Sequence, residues 1–187
     1  MRVTSPPDSG IPGIRLRQVE RHDAHAWYDY LRLPEVHART SWDVRRPADL
    51  HVSIDNALSD APDSPRRLAV IDDVAQGALV GTIGFHTVSM LNRSAEIAYD
   101  FAPTHWGRGL ATRLCNAVTR WSYGAQGLGL YRVQATVLVG NERSERVLQR
   151  CGFQHEGLLR GYRMVRGQPG DFHLYARLAD DGPADLR

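Results

Sequence analysis

The sequence predicts a single mixed α/β domain, and three observations support this. Its 187 residues are enough for one hydrophobic core and too few for two separate ones. Short segments of alternating hydrophobicity joined by turns are typical of antiparallel strands. A strand, a helix and a strand follow one another between Ala95 and Val139, and such a unit connects parallel strands by a right-handed crossover. The predicted sheet is therefore mixed, and the sequence contains no internal repeat or domain boundary.

The first half of the chain is predicted to form one strand, two helices and three further strands. Residues 1–13 hold three prolines and two glycines, so we expect a flexible leader before a domain at residues 14–178. Pro34 ends the first helical pattern, whereas Pro47 lies at the start of the second, where a proline is tolerated. The segments are, in order, a strand at residues 14–19, helices at 24–31 and 47–58, and strands at 68–71, 79–88 and 95–101.

The second half is predicted to form a helix, a buried strand, a short helix and a hairpin. The helix that begins at Leu110 carries one apolar stripe, and the β-branched run at residues 131–139 is typical of a buried strand. Asn141 is placed to cap the short helix. The hairpin strands are expected at residues 153–162 and 172–178, before a C-terminal tail at 179–187. The turn is predicted around Gly167, Pro169 and Gly170, and the stripe consists of Leu110, Leu114, Ala117, Val118 and Trp121.

The composition excludes several classes of function. A formal net charge of +2 and the lack of a dense basic run argue against direct nucleic-acid binding. All 23 basic residues are Arg, so a Schiff-base lysine and a Walker lysine are excluded. No apolar run approaches the roughly 20 residues that span a bilayer, the eight histidines show no metal-ligand spacing, and the two cysteines form no C-x-x-C motif. We therefore expect a cytoplasmic protein without a membrane segment or a metal site.

Residues 100–112, D-F-A-P-T-H-W-G-R-G-L-A-T, carry the strongest functional signal. Gly107 and Gly109 remove two Cβ atoms where a strand end turns into a helix, so that several N–H groups can point at one ligand. The helix adds its unpaired N-terminal amides and the positive end of its dipole. Both features favour an anion, most often a phosphate.

The charge distribution around this turn supports an anion site. Between Phe101 and Asn141 there is no Asp or Glu, whereas four arginines lie there, and this suits a multiply charged anion. A tight strand-to-helix connection with a solvated basic helix is the alternative. A dinucleotide site is disfavoured, because its fingerprint needs a third glycine where Thr112 stands and an acidic residue about twenty positions further on.

Two motifs at the correct separation give the chain a resemblance to a known family. The first is H-W-G-R-G-L-A-T at residues 105–112, and the second is N-E-R-S-E-R-V-L-Q-R-C-G-F at 141–153, followed by E-G at 156–157. With this order of elements, residues 14–178 resemble the GNAT superfamily of acyl-CoA-dependent N-acyltransferases, and more narrowly its RimJ/RimL-type branch, which acetylates ribosomal-protein N-termini. The resemblance implies a mostly antiparallel sheet of six to seven strands, with a splayed parallel pair at its centre and helices on both faces.

The resemblance also implies a site for acetyl-CoA as the acyl donor, with no metal. The family's phosphate loop, Q/R-x-x-G-x-G/A, places its glycine on Gly109 and its closing small residue on Ala111, while Trp106 stands at the Q/R position. Backbone amides of the loop are expected to hold the CoA pyrophosphate, and the strand edge at Phe101 and Ala102 is expected to pair with pantetheine. The implied loop residues are Trp106, Gly107, Arg108, Gly109, Leu110, Ala111 and Thr112.

Acyl transfer from a thioester to an amine needs a neutral amine and a stabilised leaving thiolate. Strand alternation places Glu96 and Asp100 on one face and Tyr99 on the other. Glu96 is the candidate base or water-orienting group, and a structural hydrogen-bond network is its alternative role. The family's usual Tyr acid falls on Leu148, so Ser144, the branch's polar residue near the sulfur, is expected to donate to the sulfur instead. Its alternative role is to compete as a helix cap.

Asn141 and the arginines of the short helix complete the expected donor site. Asn141 is expected both to cap the helix and to contact pantetheine. Arg143, Arg146 and Arg150 fall on neighbouring turns and could reach the 3′-phosphate of CoA, but an i,i+4 ion pair of Arg146 favours a solvated face. Cys151 has no partner base and is expected to be a small buried thiol.

The acceptor side has weaker signals. A primary amine is expected to enter between residues 27–47 and the hairpin at 162–172. The implied acceptor is a protein N-terminal α-amine, with a small metabolite or antibiotic amine as the alternative. A catalytically silent acyl-CoA sensor would share the same loop, and a homodimer is compatible with the pattern. His86 and His173 could enter the cleft or serve structural roles, and the other expected liners are Asp23, Trp42, Asp43, Arg45 and Arg46.

Overall fold

The structure is a computed structural model that describes residues 3–182, and a seven-stranded sheet forms its centre. The strands are β1 (Ile14–Gln18), β2 (Arg66–Asp72), β3 (Ala78–Ser89), β4 (Ser94–Phe101), β5 (Arg132–Leu138), β6 (Gln154–Val165) and β7 (Gln168–Leu178). Their order across the sheet is β1-β2-β3-β4-β5-β7-β6. In the described part of the chain, β4 and β5 are the one parallel pair of neighbours. The predicted mixed, mostly antiparallel sheet is confirmed.

Within residues 3–182, five α-helices cover the sheet and bury two hydrophobic clusters. They are α1 (Ala24–Leu31), α2 (Pro34–His37), α3 (His51–Leu58), α4 (Leu110–Tyr123) and α5 (Glu142–Arg150). The first three helices build one cluster around Trp27. The last two pack with strand residues such as Phe85 and Ile97 into the other cluster. None of the helices between residues 3 and 182 is long and apolar enough to cross a membrane.

The central strands β4 and β5 diverge, as the resemblance implied. They pair only where residues 94–96 lie beside residues 132–134. Beyond this point β4 continues along β3 as far as Phe101, while β5 continues along β7 as far as Leu138. The edge of β4 from residue 97 onward therefore faces a gap in the sheet.

Two local features differ from the sequence expectation. Pro34 begins α2 as its first residue, because a proline fits the first turn of a helix; the sequence pattern had it only ending the previous helix. The final hairpin turns at Arg166 and Gly167, whose φ angles of 51° and 81° match the primed turn that suits twisted strands. Pro169 lies within β7, opposite Met164. Both hairpin strands are consequently longer than predicted.

The buried face of α4 is also broader than the predicted apolar stripe. Leu110, Leu114 and Val118 are buried, whereas Ala117 and Trp121 are only half-buried. The remaining buried positions hold small or polar side chains, of which Ser122 bonds within its own helix, its Oγ donating to the Thr119 carbonyl at 2.7 Å. The additional buried residues are Cys115, Asn116, Thr119 and Ser122.

The predicted leader contains no helix or strand between residues 3 and 13. It nevertheless contacts the domain: Ser9 is buried, its hydroxyl bonds the Ile14 carbonyl, and Ile11 packs against the larger core cluster. Residues 1–2 of the leader and residues 183–187 of the predicted tail lie outside the described residues.

Candidate active site

The loop before α4 presents open backbone. Gly107 and Gly109 have φ angles of +74° and +71°, and a Cβ added at either would meet no atom within 4 Å. Glycine is therefore required here by the left-handed conformation, and the outer surface of the loop is free. No side chain caps the N-terminus of α4. Its first N–H groups are thus available to an anion.

A cavity of about 570 Å³ lies against this loop, and we call it the donor cavity. The β4 end contributes Phe101 to its wall, and α5 contributes its first turns. Arg108 does not line it. The predicted loop residues that do line it are Trp106, Gly107, Gly109, Leu110, Ala111 and Thr112.

The open edge of β4 is partly occupied by the protein itself. The Ala102 N–H donates to the Val80 carbonyl at 2.9 Å, so it points toward β3 and is not available to pantetheine. This corrects the expectation for Ala102, which also does not line the donor cavity. Alternation turns the carbonyl of Phe101 toward the gap, where it accepts a hydrogen bond from Trp106 Nε1 at 2.8 Å.

Arginines give the donor cavity its charge. The guanidinium carbons of Arg39 and Arg143 lie 5.6 and 5.4 Å from the Trp106 ring centroid, within the range of cation–π attraction. Arg146 and Arg150 line the same cavity, although Arg146 also makes the expected ion pair with Glu142 at 3.4 Å. This face of α5 is therefore not only a solvated surface but also a wall of the donor cavity.

A second cavity of about 440 Å³, here the acceptor cavity, opens onto the other side of the gap. It is lined by residues of β3, β4 and β5, by the hairpin residues Arg163 and Phe172, and by the chain between α2 and α3. The two cavities meet. The residues that line both are Arg39, Thr40, Tyr99, Asp100, Asn141 and Ser144.

Asn141 and Ser144 lie at this junction. Asn141 caps α5, because its Oδ1 accepts a hydrogen bond from the Ser144 N–H at 3.4 Å, and the predicted cap is confirmed. The Tyr99 hydroxyl donates to the Ser144 carbonyl at 3.3 Å, and burial raises the pKa of Tyr99. Leu148, at the position of the family's usual Tyr acid, is fully buried beside the acceptor cavity. The serine and the tyrosine at the junction thus come from different elements, α5 and β4, and are joined by a hydrogen bond.

Residues 37–43, which we call the strap, border both cavities. Asn141 Nδ2 donates to the Arg39 carbonyl at 3.0 Å. Arg166, at the hairpin turn, donates to the carbonyls of His37 and Thr40 at 3.0 and 3.1 Å. The strap is therefore attached at its centre to α5 and at two carbonyls to the hairpin.

Glu96 lies beneath the acceptor cavity but does not line it. Its Oε1 accepts hydrogen bonds from Thr136 and from Arg163 Nη2, the latter at 2.9 Å, and lies 3.3 Å from His86 Nε2. His86 is directed there by a β-bulge, since Phe85 and Thr87 pair with consecutive residues of β4. Burial raises the pKa of Glu96, but the hydrogen bond and charge of His86, the Thr136 hydroxyl and the Arg163 charge outweigh it and lower this pKa to about 2.

Asp100 is held in a second buried network below the junction. Its carboxylate pairs with Arg67, and both side chains are nearly inaccessible. One carboxylate oxygen also accepts hydrogen bonds from Trp27 Nε1 at 2.9 Å, from Tyr30 Oη, and from Thr82 Oγ1 at 3.0 Å. These partners saturate the carboxylate, so its role is to join β4 to α1 and β2.

The residues expected on the acceptor side are only partly brought together. Trp42 and Asp43 line the acceptor cavity, and so does His86. The remaining candidates lie elsewhere: Asp23 is buried in an ion pair with Arg17 at 2.6 Å, His173 contacts His155 at 3.0 Å, and Arg45 and Arg46 are exposed outside both cavities.

Sequence reasoning missed Arg39, Tyr99 and Arg163 as lining residues. For Tyr99 a signal existed, since strand alternation set it next to the gap opened by the divergence of β4. Arg39 and Arg163 gave none, because each lies in a segment whose position depends on distant contacts. Cys151 is buried as expected.

Comparison with known proteins agrees with this geometry. Residues 14–154 match the acetyltransferase (GNAT) domain family. The uncharacterized N-acetyltransferase YoaA of Bacillus subtilis (strain 168) is 45% identical over 98 residues, which cover 52% of this chain and 54% of that protein. The ribosomal-protein-serine acetyltransferase of Escherichia coli (strain K12) is 33% identical over 102 residues, which cover 54% of this chain and 56% of that protein. The chain thus matches about half the length of each of these curated relatives.

A solved structure shares the whole fold. The crystal structure of spermidine N-acetyltransferase from Vibrio cholerae in complex with CoA and spermine superimposes with a TM-score of 0.76, over 90% of this chain and 97% of that one, at 24% sequence identity. This likeness shows the fold. Together with the family match over residues 14–154, it establishes that the chain belongs to the GNAT acetyltransferase family of acyl-CoA-dependent N-acyltransferases.

Proposed function

We propose that the chain is an N-acetyltransferase that moves an acetyl group from acetyl-CoA directly to a primary amine. The meeting of the two cavities at Tyr99, Asn141 and Ser144 carries this proposal. One cavity offers open backbone amides and arginines to an anionic donor, and the other offers polar side chains to an acceptor. Neither cysteine lines either cavity, which supports direct attack without an acyl-enzyme.

The residues of the donor cavity fit CoA. Both loop glycines leave free space where a side chain would project, and the amides of residues 106–112 would hold the pyrophosphate. Arg143, Arg146 and Arg150 would reach the 3′-phosphate. Acetyl-CoA supplies an acyl group activated as a thioester, and the Ser144 hydroxyl would donate a hydrogen bond to the departing sulfur. A thiol with a pKa near 8.5 needs no stronger acid.

The state of Glu96 bears on the choice of amine. A carboxylate with a pKa of about 2 is a weak proton acceptor at neutral pH, and this one is shielded from the cavity by its partners. We therefore assign Glu96 the role of fixing Arg163 and His86, and the amine would lose its proton to water. An N-terminal α-amine, with a pKa of about 8, is then a better acceptor than an alkyl amine near 10. This argument, and the ribosomal-protein-serine acetyltransferase among the relatives, support a protein N-terminus as acceptor.

Calorimetry with CoA and an assay of CoA release test the proposal. We expect CoA to bind with a micromolar or tighter Kd, and short peptides with a free N-terminus to be acetylated faster than spermidine. Ser144→Ala should lower kcat and leave the Kd of CoA unchanged, because its hydroxyl acts on the leaving sulfur. No heat with CoA would overturn the proposal, and tight CoA binding with no acetylation of any amine would identify an acyl-CoA sensor instead.

A further inference from the structure

The charges that face the acceptor cavity are unevenly balanced. Two carboxylates line it: Asp100 is saturated by its buried partners, and Asp43 lies at the exposed rim, 59% accessible and 3.8 Å from Arg45. Arg39 and Arg163 also line the cavity. In the described part of the chain Arg39 has no carboxylate within ion-pair distance. A ligand with several positive charges would thus find no free buried carboxylate here.

Arg163 has the surroundings of a ligand-binding guanidinium. Its Nη2 donates to Glu96 Oε1 at 2.9 Å, and Glu96 is only 4% exposed and lies behind the cavity wall. The guanidinium carbon lies 4.9 Å from the Tyr162 ring centroid and 5.6 Å from that of Phe172. One nitrogen and two aromatic rings therefore hold the group in place.

The other two nitrogens of Arg163 remain available. Among residues 3–182 they make no hydrogen bond, while the side chain is 31% exposed and lines the acceptor cavity. A guanidinium donates strong, charge-assisted hydrogen bonds to carboxylate oxygens, and Nη1 alone carries two N–H groups for this purpose. Arg163 does not line the donor cavity, so a ligand of these nitrogens would lie on the acceptor side.

We propose that the acceptor is an amine that also carries a carboxylate, and that Arg163 binds this carboxylate. The inference rests on the proposed function and names the acceptor class of the same site. The carboxylate belongs either to an acidic side chain near the N-terminus of a peptide or to a small amino acid. Polyamines, which carry only positive charges, are poor acceptors on this basis.

Matched acceptors test the proposal and separate the two sources. Amidated peptides with a free N-terminus and Asp or Asn at the second position have the same shape and differ in the charge offered to Arg163, and a Lys peptide offers the opposite charge on a longer side chain. A free amino acid and its amide form the small-molecule pair, compared at equal concentrations of the neutral amine because an α-carboxylate raises the pKa of the amine beside it, and spermidine is the polycation. Hydrogen bonds to charged groups are each worth about a factor of ten or more, so kcat/KM for the carboxylate member of a pair should exceed that of its neutral partner about ten-fold. Equal values within both pairs, or a preference for spermidine, would overturn the proposal.

Substitutions assign the effect to Arg163. Arg163→Gln should abolish the preference for the carboxylate member, and the Arg163→Gln, Glu96→Gln double variant should do the same without leaving Glu96 unpaired. Glu96→Gln alone should retain the preference. Arg160→Gln is the matched control, because Arg160 is exposed on the same strand and lines neither cavity. A preference that survives Arg163→Gln contradicts the assignment.

A binding measurement keeps this inference distinct from the proposed function. Calorimetry of the same matched pairs with the CoA-bound protein reports recognition of the carboxylate whether or not the amine is acetylated. Turnover that favours the acceptors without a carboxylate would refute the inference and leave the N-acetyltransferase proposal standing. Selective binding of the carboxylate member without any turnover would support recognition by Arg163 and refute the N-acetyltransferase proposal.

Discussion

The donor and acceptor cavities are built in different ways. The donor cavity is formed largely by two short stretches, residues 106–112 and 141–150, and its loop offers backbone N–H groups. The acceptor cavity is formed by side chains from the strap, three central strands and the hairpin. A backbone site depends on conformation and tolerates Trp106 at a position where the family has Gln or Arg. A side-chain site depends on each residue that lines it. The first can therefore be common to a family, while the second determines which amine is used.

Removing Asp100 should damage both cavities, because this residue lies at their junction. Asp100→Ala leaves Arg67 buried without a counter-charge and removes the acceptor of three further hydrogen bonds. Breaking a buried ion pair in this way costs about 3–5 kcal/mol, and urea denaturation should show this loss in the free energy of unfolding. Asp73→Ala is the control, since its pair with Arg15 is exposed and should be worth less than about 1 kcal/mol. Similar losses in the two variants would contradict the buried network.

The Glu96 network beside the acceptor cavity should make the free energy of unfolding depend on pH in the acid range. The folded state lowers the pKa of Glu96 from 4.5 to about 2, so folding favours the ionised form. This contribution is present above about pH 4.5, is lost as the pH falls toward 2, and amounts to roughly 3 kcal/mol. Unfolding free energies measured from pH 6 to pH 2 should fall further for the wild type than for Glu96→Gln. Parallel curves for the two proteins would show that Glu96 has an ordinary pKa.

On the donor side, the loop conformation should matter more than its side chains. Gly109→Val places a β-branched residue at a φ of +71°, where an L-residue costs about 1–2 kcal/mol, and fills space left open for the donor. Calorimetry should show CoA binding weakened at least about ten-fold. Gly77→Val is a matched control, since Gly77 has a φ of +76° and open surroundings in the turn between β2 and β3. Equal loss of CoA affinity in both variants would point to general destabilisation.

The smallest effect is expected at the exposed end of the donor cavity. Arg150→Gln removes one solvent-accessible charge from α5 and should weaken CoA binding about three-fold, because exposed ion pairs contribute only about 0–1 kcal/mol. Affinity for 3′-dephospho-CoA should not change. Arg120→Gln removes an exposed charge that lines neither cavity and should have no effect. An equal loss of affinity for CoA and for 3′-dephospho-CoA would show that Arg150 does not contact the 3′-phosphate.

The sequence allowed the sheet and the donor side to be predicted because their signals are local. Alternation marks β4 and the glycines mark the loop, while Asn141 stands directly before the helix that it caps. Each of these inferences needs only residues that are close together in the chain. The family resemblance then supplied the divergence of the central strands.

The acceptor side could not be predicted in the same way. Arg163 reaches Glu96 across 67 positions of the chain, and Arg39 meets Asn141 across 102. His86 faces Glu96 because of a bulge in β3, which no residue type at that point specifies. Ala102 failed as a pantetheine contact for a related reason, since the direction of its N–H depends on pairing with Val80.

The attachment of the strap has a consequence for how such a protein changes its substrate. The three hydrogen bonds described above, which join it to Asn141 and to the hairpin, end on main-chain carbonyls, those of His37, Arg39 and Thr40. A carbonyl is present whatever side chain its residue bears. These hydrogen bonds therefore tolerate sequence change in the strap, whereas Arg39, which lies over Trp106, and Trp42, which packs against Trp27, also hold it by their side chains. New amine selectivity can thus evolve at the other positions of this segment without rebuilding the domain that supports it.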